Sequence, residues 1–145
     1  MNIKLLFCSL KKNIMEQLIP HIPKILILAF LTFHFGISLF EKFSDFDRIF
    51  NFYEKTFRKT LLKKLIKPLI TIMMCLESLN CFFLTIGLYE LIRFQETETA
   101  LIGCTVSSVT TLYILAGQRI AKNYSAANSL SIYFIISIFG LCLFV

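Results

Sequence analysis

Apolar residues gather in four long runs that are separated by short polar stretches. A bilayer core of about 30 Å needs roughly 20 helical residues to cross it, and each run has about that length. The runs cover residues 24–41, 68–89, 99–118 and 126–145. The pattern therefore predicts an all-α integral membrane four-helix bundle, with residues 1–145 forming a single transmembrane domain.

The segment between the first two runs follows another pattern. Its aromatic residues recur at intervals of three and four, the spacing of one face of a helix, at Phe43, Phe46, Phe50, Tyr53 and Phe57. Ser44 followed by Asp47 resembles a capping box that would start a helix. These features predict an amphipathic helical segment over residues 44–66 that lies along one membrane interface.

The composition agrees with a membrane protein. The chain has 145 residues, of which 57% are hydrophobic and 16 are phenylalanine, and its mean hydropathy is +0.74. The net charge of +6 comes mainly from basic residues between the spans, so we expect anionic lipid headgroups rather than nucleic acid as partners. We expect residues 1–22 to form a short amphipathic lead-in, because its apolar run is too short for a secretory signal.

Membrane orientation follows from the same basic residues. Ten of the 15 lie on the side of residues 42–67, and the positive-inside rule places that side in the cytoplasm. The rule weakens if this segment is itself embedded in the interface, so the opposite orientation stays open.

The cysteines and histidines predict no metal or haem site. The five cysteines show no CxxC spacing and no neighbouring histidine, so we interpret them as small apolar residues within helices. Bis-histidine haem ligation needs two imidazoles inside the membrane, whereas only His34 lies within a span. No catalytic residue and no resident cofactor are predicted.

Glu77 is the only formal charge inside the second span. A helical projection places the apolar side chains of Ile72, Leu76, Leu79, Phe83 and Ile86 on one side. The opposite side carries the polar and small residues Glu77, Ser78, Asn80, Cys81, Thr85 and Gly87. Because a carboxylate turned towards lipid is costly, we expect Glu77 to face the bundle interior. It either fixes the bundle through a hydrogen bond or ion pair, or serves as a protonatable or ligand-binding group.

The end of the first span offers partners for this carboxyl group. His34, Ser38, Glu41 and Lys42 share one helix face. Lys42 either extends to the interface or meets Glu77, directly or through a polar bridge. A lone histidine in such a helix more often packs than binds. We predict a polar pocket, which would hold a ligand, from His34, Lys42, Glu77 and Asn80.

Small residues indicate where the helices approach one another. Gly103, Ser107 and Thr111 follow at intervals of four, which is a pattern typical of close helix contact in membranes. Gly140 in the fourth span and Gly36 in the first are predicted to allow similar contacts.

Three stretches resemble the DoxX/DoxD-like family of small four-span membrane proteins. They are "FHFGISLFEKFSDFD", "CLESLNCFFLTIGL" and "LAGQRIAKNYSAANSLSIYF", and the resemblance covers most of residues 25–140. The resemblance implies an association with membrane redox systems, including a quinone-reducing thiosulfate oxidoreductase subunit. It also implies that Lys42 and Glu77 are the residues with a functional role.

From this resemblance we expect a multi-pass protein of a bacterial cytoplasmic membrane. It would be an accessory subunit of a redox or envelope system, with a membrane protein or a second copy as partner and no turnover of its own. Two alternatives stay open: a small proton-coupled transporter acting as a dimer, and an oxidoreductase subunit that binds quinone.

Overall fold

The structure is a computed structural model that describes residues 19–57, 60 and 65–145. A 3₁₀ turn, Ile19–His21, leads into the first helix. The α-helices are α1 (Ile22–Ser44), α2 (Phe46–Phe57), α3 (Ile66–Phe94), α4 (Glu98–Ile120) and α5 (Tyr124–Phe144). Most of the predicted lead-in, and most of the interfacial segment after residue 57, lie outside the described residues.

Four of these helices are long and apolar enough to cross a membrane, namely α1, α3, α4 and α5. The shortest has 21 residues, and at a rise of about 1.5 Å per residue it spans the hydrocarbon core. Strands do not occur in the described ranges. The protein is therefore an all-α, multi-pass membrane bundle, as the four apolar runs predict.

The helices pack mainly in chain order, with α3 and α4 at the centre. α3 packs against both α1 and α4, α4 packs against α5, and α1 contacts α5 only slightly. The main apolar core joins the middle of α1 to α3 and α4 through Leu28, Leu31, Leu84 and Cys104. α1 thus packs mainly against α3, which is not the next helix along the chain.

Small residues bring the central helices close together. A Cβ atom added to Gly87 would lie 2.7 Å from the Ala100 backbone, and one added to Gly103 would lie 3.2 Å from the Leu84 backbone nitrogen. A Cβ atom on Gly140 would lie 3.3 Å from Cys104 Sγ. Ser107 and Thr111, at the following turns of α4, are also buried.

The close contact predicted for Gly36 does not occur between the described helices. A Cβ atom at that position would meet none of the described residues within 4 Å. Among the five glycines, the closest approach to a neighbouring helix belongs to Gly87, which the sequence pattern places on the inner face of α3 without assigning it a packing role.

α2 forms the described part of the interfacial segment. Its aromatic stripe is only partly covered, since Phe57 is buried, Phe50 and Tyr53 are half-buried, and Phe46 is exposed. Ser44 is the last residue of α1 and so does not cap α2; the chain bends at Asp45, whose backbone N–H still donates to Glu41 C=O.

Candidate functional site

Lys42 and Glu77 form an ion pair inside the bundle. Lys42 Nζ lies 3.0 Å from Glu77 Oε1, and the two side chains are only 9% and 1% exposed. The pair joins the end of α1 to the middle of α3. The carboxylate therefore faces the interior, as its isolation in an apolar span predicts, and the lysine meets it directly rather than extending to the interface.

The direction of the lysine side chain explains how it reaches this depth. Side chains on an α-helix tilt towards its N-terminus, and the N-terminus of α1 lies across the membrane from Lys42. The ammonium group accordingly lies over the preceding turn, where it donates a hydrogen bond of 3.2 Å to the carbonyl oxygen of Ser38. α1 continues as a helix to Ser44, so this tilt carries the charge into the bundle.

Ser38 completes the paired half of the site. Its hydroxyl donates to Glu77 Oε1 at 3.1 Å and accepts from Lys42 Nζ at 2.5 Å. An ammonium group has three N–H donors, and here they are directed at Ser38 C=O, Ser38 Oγ and Glu77 Oε1. The positive charge is thus fully hydrogen-bonded by protein. Helical spacing places Ser38 on one face with Lys42, but Ser38 is not among the four predicted pocket residues.

The other half of the site lacks partners. Glu77 Oε2 and Asn80 Nδ2 are buried and make no hydrogen bond within the described part of the chain. They belong to residues three apart on α3, which lie on one helix face. Buried polar groups in proteins are nearly always hydrogen-bonded, so both atoms are available to a further hydrogen-bonding group.

Asn80 keeps one free polar atom whichever way its amide is rotated. Ser107 Oγ lies 2.8 Å from Asn80 Oδ1 and 2.9 Å from Gly103 C=O, but a hydroxyl group has a single proton to donate. The Ser107 hydroxyl can therefore donate to Asn80 Oδ1 or to Gly103 C=O, but not to both. If the amide is rotated, its nitrogen donates to Ser107 instead, so Asn80 makes one contact with Ser107 in each orientation. Among the described residues, one polar atom of the amide is therefore left without a hydrogen bond in either orientation.

His34 lies near this site without touching it. Its ring stacks on Tyr133 of α5, with centroids 3.9 Å apart, and meets Phe35 edge to face. Within the residues that the structure describes, no hydrogen bond joins His34 to the other three pocket residues. The imidazole therefore packs α1 against α5, one of the two roles that the sequence leaves open.

Two other polar residues differ from the predicted arrangement. Glu41 shares a face with Lys42 by helical spacing but is exposed. Thr85, predicted on the inner face of α3, is also exposed, and its hydroxyl donates 2.7 Å to the carbonyl oxygen of Cys81. Ile72 and Leu79 on the predicted lipid face are exposed, while the other three residues of that face are half-buried.

Tyr53 of α2 covers the interfacial end of the site. Burial raises the pKa of its phenol, and the negative charge of Glu77 raises it further. Its hydroxyl donates to Met73 Sδ at 3.8 Å, and Met73 lies one turn before Glu77 on α3. The phenol is therefore neutral at physiological pH.

A separate apolar cavity of about 210 Å³ lies beside Tyr53, between α2, α3 and α4. Its walls come from the start of α3 and the end of α4, closed on one side by α2. Among the residues that line it are Phe57, Ile66, Ile70, Met73, Ile114 and Gly117.

Within the described ranges, no group of three His, Cys, Asp or Glu side chains is placed to hold a metal ion. The candidate site is therefore the Lys42–Glu77 pair with its unpaired neighbours.

No family model, curated protein or solved structure matches the chain.

Proposed function

We propose that this protein is a DoxX-like accessory subunit of a bacterial membrane redox or envelope system. In this role it turns over no substrate by itself and presents an intramembrane polar site to a ligand or partner subunit. The observation that carries the proposal is the half-paired Glu77 carboxylate. Oε1 is held by Lys42 and Ser38, and Oε2 has no partner among the described residues.

The chemistry of the site suits binding. Lys42 and Ser38 hold the carboxylate in place, so the free oxygen is presented in a fixed direction. Asn80 adds a second free polar atom one turn along the same helix. A ligand group or partner side chain that donates to Oε2 would remove a buried, unsatisfied acceptor, and removing such an acceptor is worth about 1–3 kcal/mol.

The test compares partner and ligand retention in three proteins purified in mild detergent. The wild type, Glu77→Gln and the control Glu41→Gln differ by single carboxyl-to-amide changes, one buried and one exposed. Glu77→Gln should lose most of a stoichiometric partner or bound small molecule seen by mass spectrometry, while Glu41→Gln keeps it. Equal retention by all three, or no stoichiometric companion in any, contradicts the proposal.

The unpaired oxygen also favours a second function, proton-coupled transport by a dimer. Glu77 Oε2 could take up and release a proton while Oε1 stays paired with Lys42. Liposomes that contain a pH-sensitive dye and the reconstituted protein test this directly. A substrate-dependent pH change that Glu77→Gln abolishes and Glu41→Gln preserves would support transport over the accessory role.

A further inference from the structure

We propose that the cavity between α2, α3 and α4 is a binding site for one acyl chain of an anionic phospholipid. The inference does not depend on the function proposed above, because neither Lys42 nor Glu77 is among the described residues that line the cavity. It rests on the shape and chemistry of the cavity and on the charge that surrounds it.

The lining accepts a hydrocarbon chain and offers little to a polar ligand. Three polar side chains that border it have partners within the protein: Tyr53, Tyr113 and Gln118. Tyr113 Oη donates a hydrogen bond of 3.2 Å to the Leu69 carbonyl oxygen, and Tyr53 Oη donates one to the Met73 sulfur. Gln118 Oε1 accepts a hydrogen bond of 3.0 Å from Asn123 Nδ2. The remaining walls are aliphatic or aromatic.

The size of the cavity suits part of a single acyl chain. Sites for drug-sized ligands have volumes of about 300–1,000 Å³, whereas this one measures about 210 Å³. An irregular apolar space of this size takes a segment of one flexible acyl chain, and the rest of that chain would lie in the bilayer outside the cavity. Hydrocarbon is also the solvent on the outer side of these helices, so the ligand is present at high concentration.

The charge around the cavity points to an anionic headgroup. Lys67 follows the lining residue Ile66, and Arg119 follows Gln118; both basic side chains are exposed. In the sequence, residues 42–67 carry eight basic and three acidic side chains, and four of the basic ones, Arg58, Lys59, Lys63 and Lys64, lie outside the described residues. Each basic residue near an anionic membrane surface contributes about a fivefold gain in binding. A chain in the cavity would place its headgroup at this basic rim.

Photo-crosslinking tests the site in the full-length protein. The protein is placed in nanodiscs of phosphatidylcholine with a minor fraction of phosphatidylglycerol, and one of the two lipids carries a diazirine in its acyl chain. We expect adducts concentrated in residues 66–73 and 113–120, formed several-fold more often from phosphatidylglycerol. In Lys67→Gln the preference for phosphatidylglycerol should fall about fivefold.

Two glycine substitutions supply a matched pair. A Cβ atom at Gly117 would lie 3.7 Å from Phe57, an ordinary contact, so Gly117→Leu should fill the cavity and abolish labelling there. Gly36→Leu adds the same group at a position where none of the described residues lies within 4 Å, and it should leave labelling unchanged.

Adducts spread evenly over the lipid-facing surface would overturn the proposal, and so would equal labelling by both lipids. Unchanged labelling in Gly117→Leu would overturn it as well. If that variant fails to fold, Lys67→Gln and the comparison of the two lipids decide, because both leave the cavity intact.

Discussion

Replacing Lys42 and Glu77 singly and together should reveal strong coupling between them. Their charged atoms lie 3.0 Å apart, and two unit charges at that distance attract by about 5.5 kcal/mol at an effective dielectric constant of about 20. Desolvation of both ions offsets much of this attraction. Removing one partner leaves the other buried and unpaired, which costs about 3–5 kcal/mol in comparable pairs.

We therefore expect Lys42→Met and Glu77→Gln each to lower the free energy of unfolding by about 3 kcal/mol. The double variant leaves no unpaired charge, so it should be at least about 2 kcal/mol more stable than the sum of the single losses predicts. This coupling exceeds the average of about 0.6 kcal/mol for neutral interhelical hydrogen bonds, because both groups are ionised and almost fully buried.

Denaturant titration in mixed micelles, followed by circular dichroism, measures all four free energies. Lys55→Met and Glu41→Gln are the controls, since both residues are exposed. Lys42→Met combined with Glu41→Gln should be additive, because Glu41 does not take part in the pair. Additivity of Lys42→Met and Glu77→Gln within about 0.5 kcal/mol would refute the reasoning and reduce the ion pair to a contact without energetic weight.

Three further outcomes follow from the structure. Ser38→Ala should lower the free energy of unfolding by about 1.5 kcal/mol or more, because it removes a hydroxyl that bridges two charged groups, whereas Ser38→Thr should retain most of it. Gly87→Ala should cost about 1–3 kcal/mol by overpacking against the backbone of Ala100, and Gly36→Ala should be neutral or stabilising in the same assay; equal effects would contradict the close approach. Because the pKa of Tyr53 is raised in the folded state, its neutral form contributes stability below the ordinary tyrosine pKa, and that stability is lost as pH rises through the folded pKa; Tyr53→Phe should remove this alkaline loss, measured by thermal unfolding at increasing pH.

The sequence predicts the membrane bundle well because hydrocarbon thickness constrains helix length. It is less accurate about where helices end. α1 continues past Glu41 and Lys42 to Ser44, since charged residues need not interrupt a helix. Lys42 follows the end of the first apolar run, so the sequence leaves open whether it extends to the interface or meets Glu77. The tilt of a helical side chain towards the N-terminus brings its ammonium group to the carboxylate.

Other errors have similarly local causes. Thr85 was grouped with the inward polar residues, but a threonine can donate to the carbonyl oxygen one turn earlier and then face lipid without an unpaired group. Gly36 and Gly87 look alike in sequence, and only the placement of the neighbouring helices distinguishes an open glycine from a packed one. The cavity depends on three helices at once, so no pattern along a single helix predicts it.

The ion pair also affects how deep α1 lies in the membrane relative to α3. In lipid, helices associate through van der Waals packing and interhelical polar contacts rather than through a hydrophobic driving force. α1 packs mainly against α3, and the ion pair adds a charged contact between these two helices near the end of α1. A shift of one helical turn would move Lys42 by about 5.4 Å along the helix axis and separate it from Glu77. The ion pair therefore ties the depth of α1 in the membrane to that of α3.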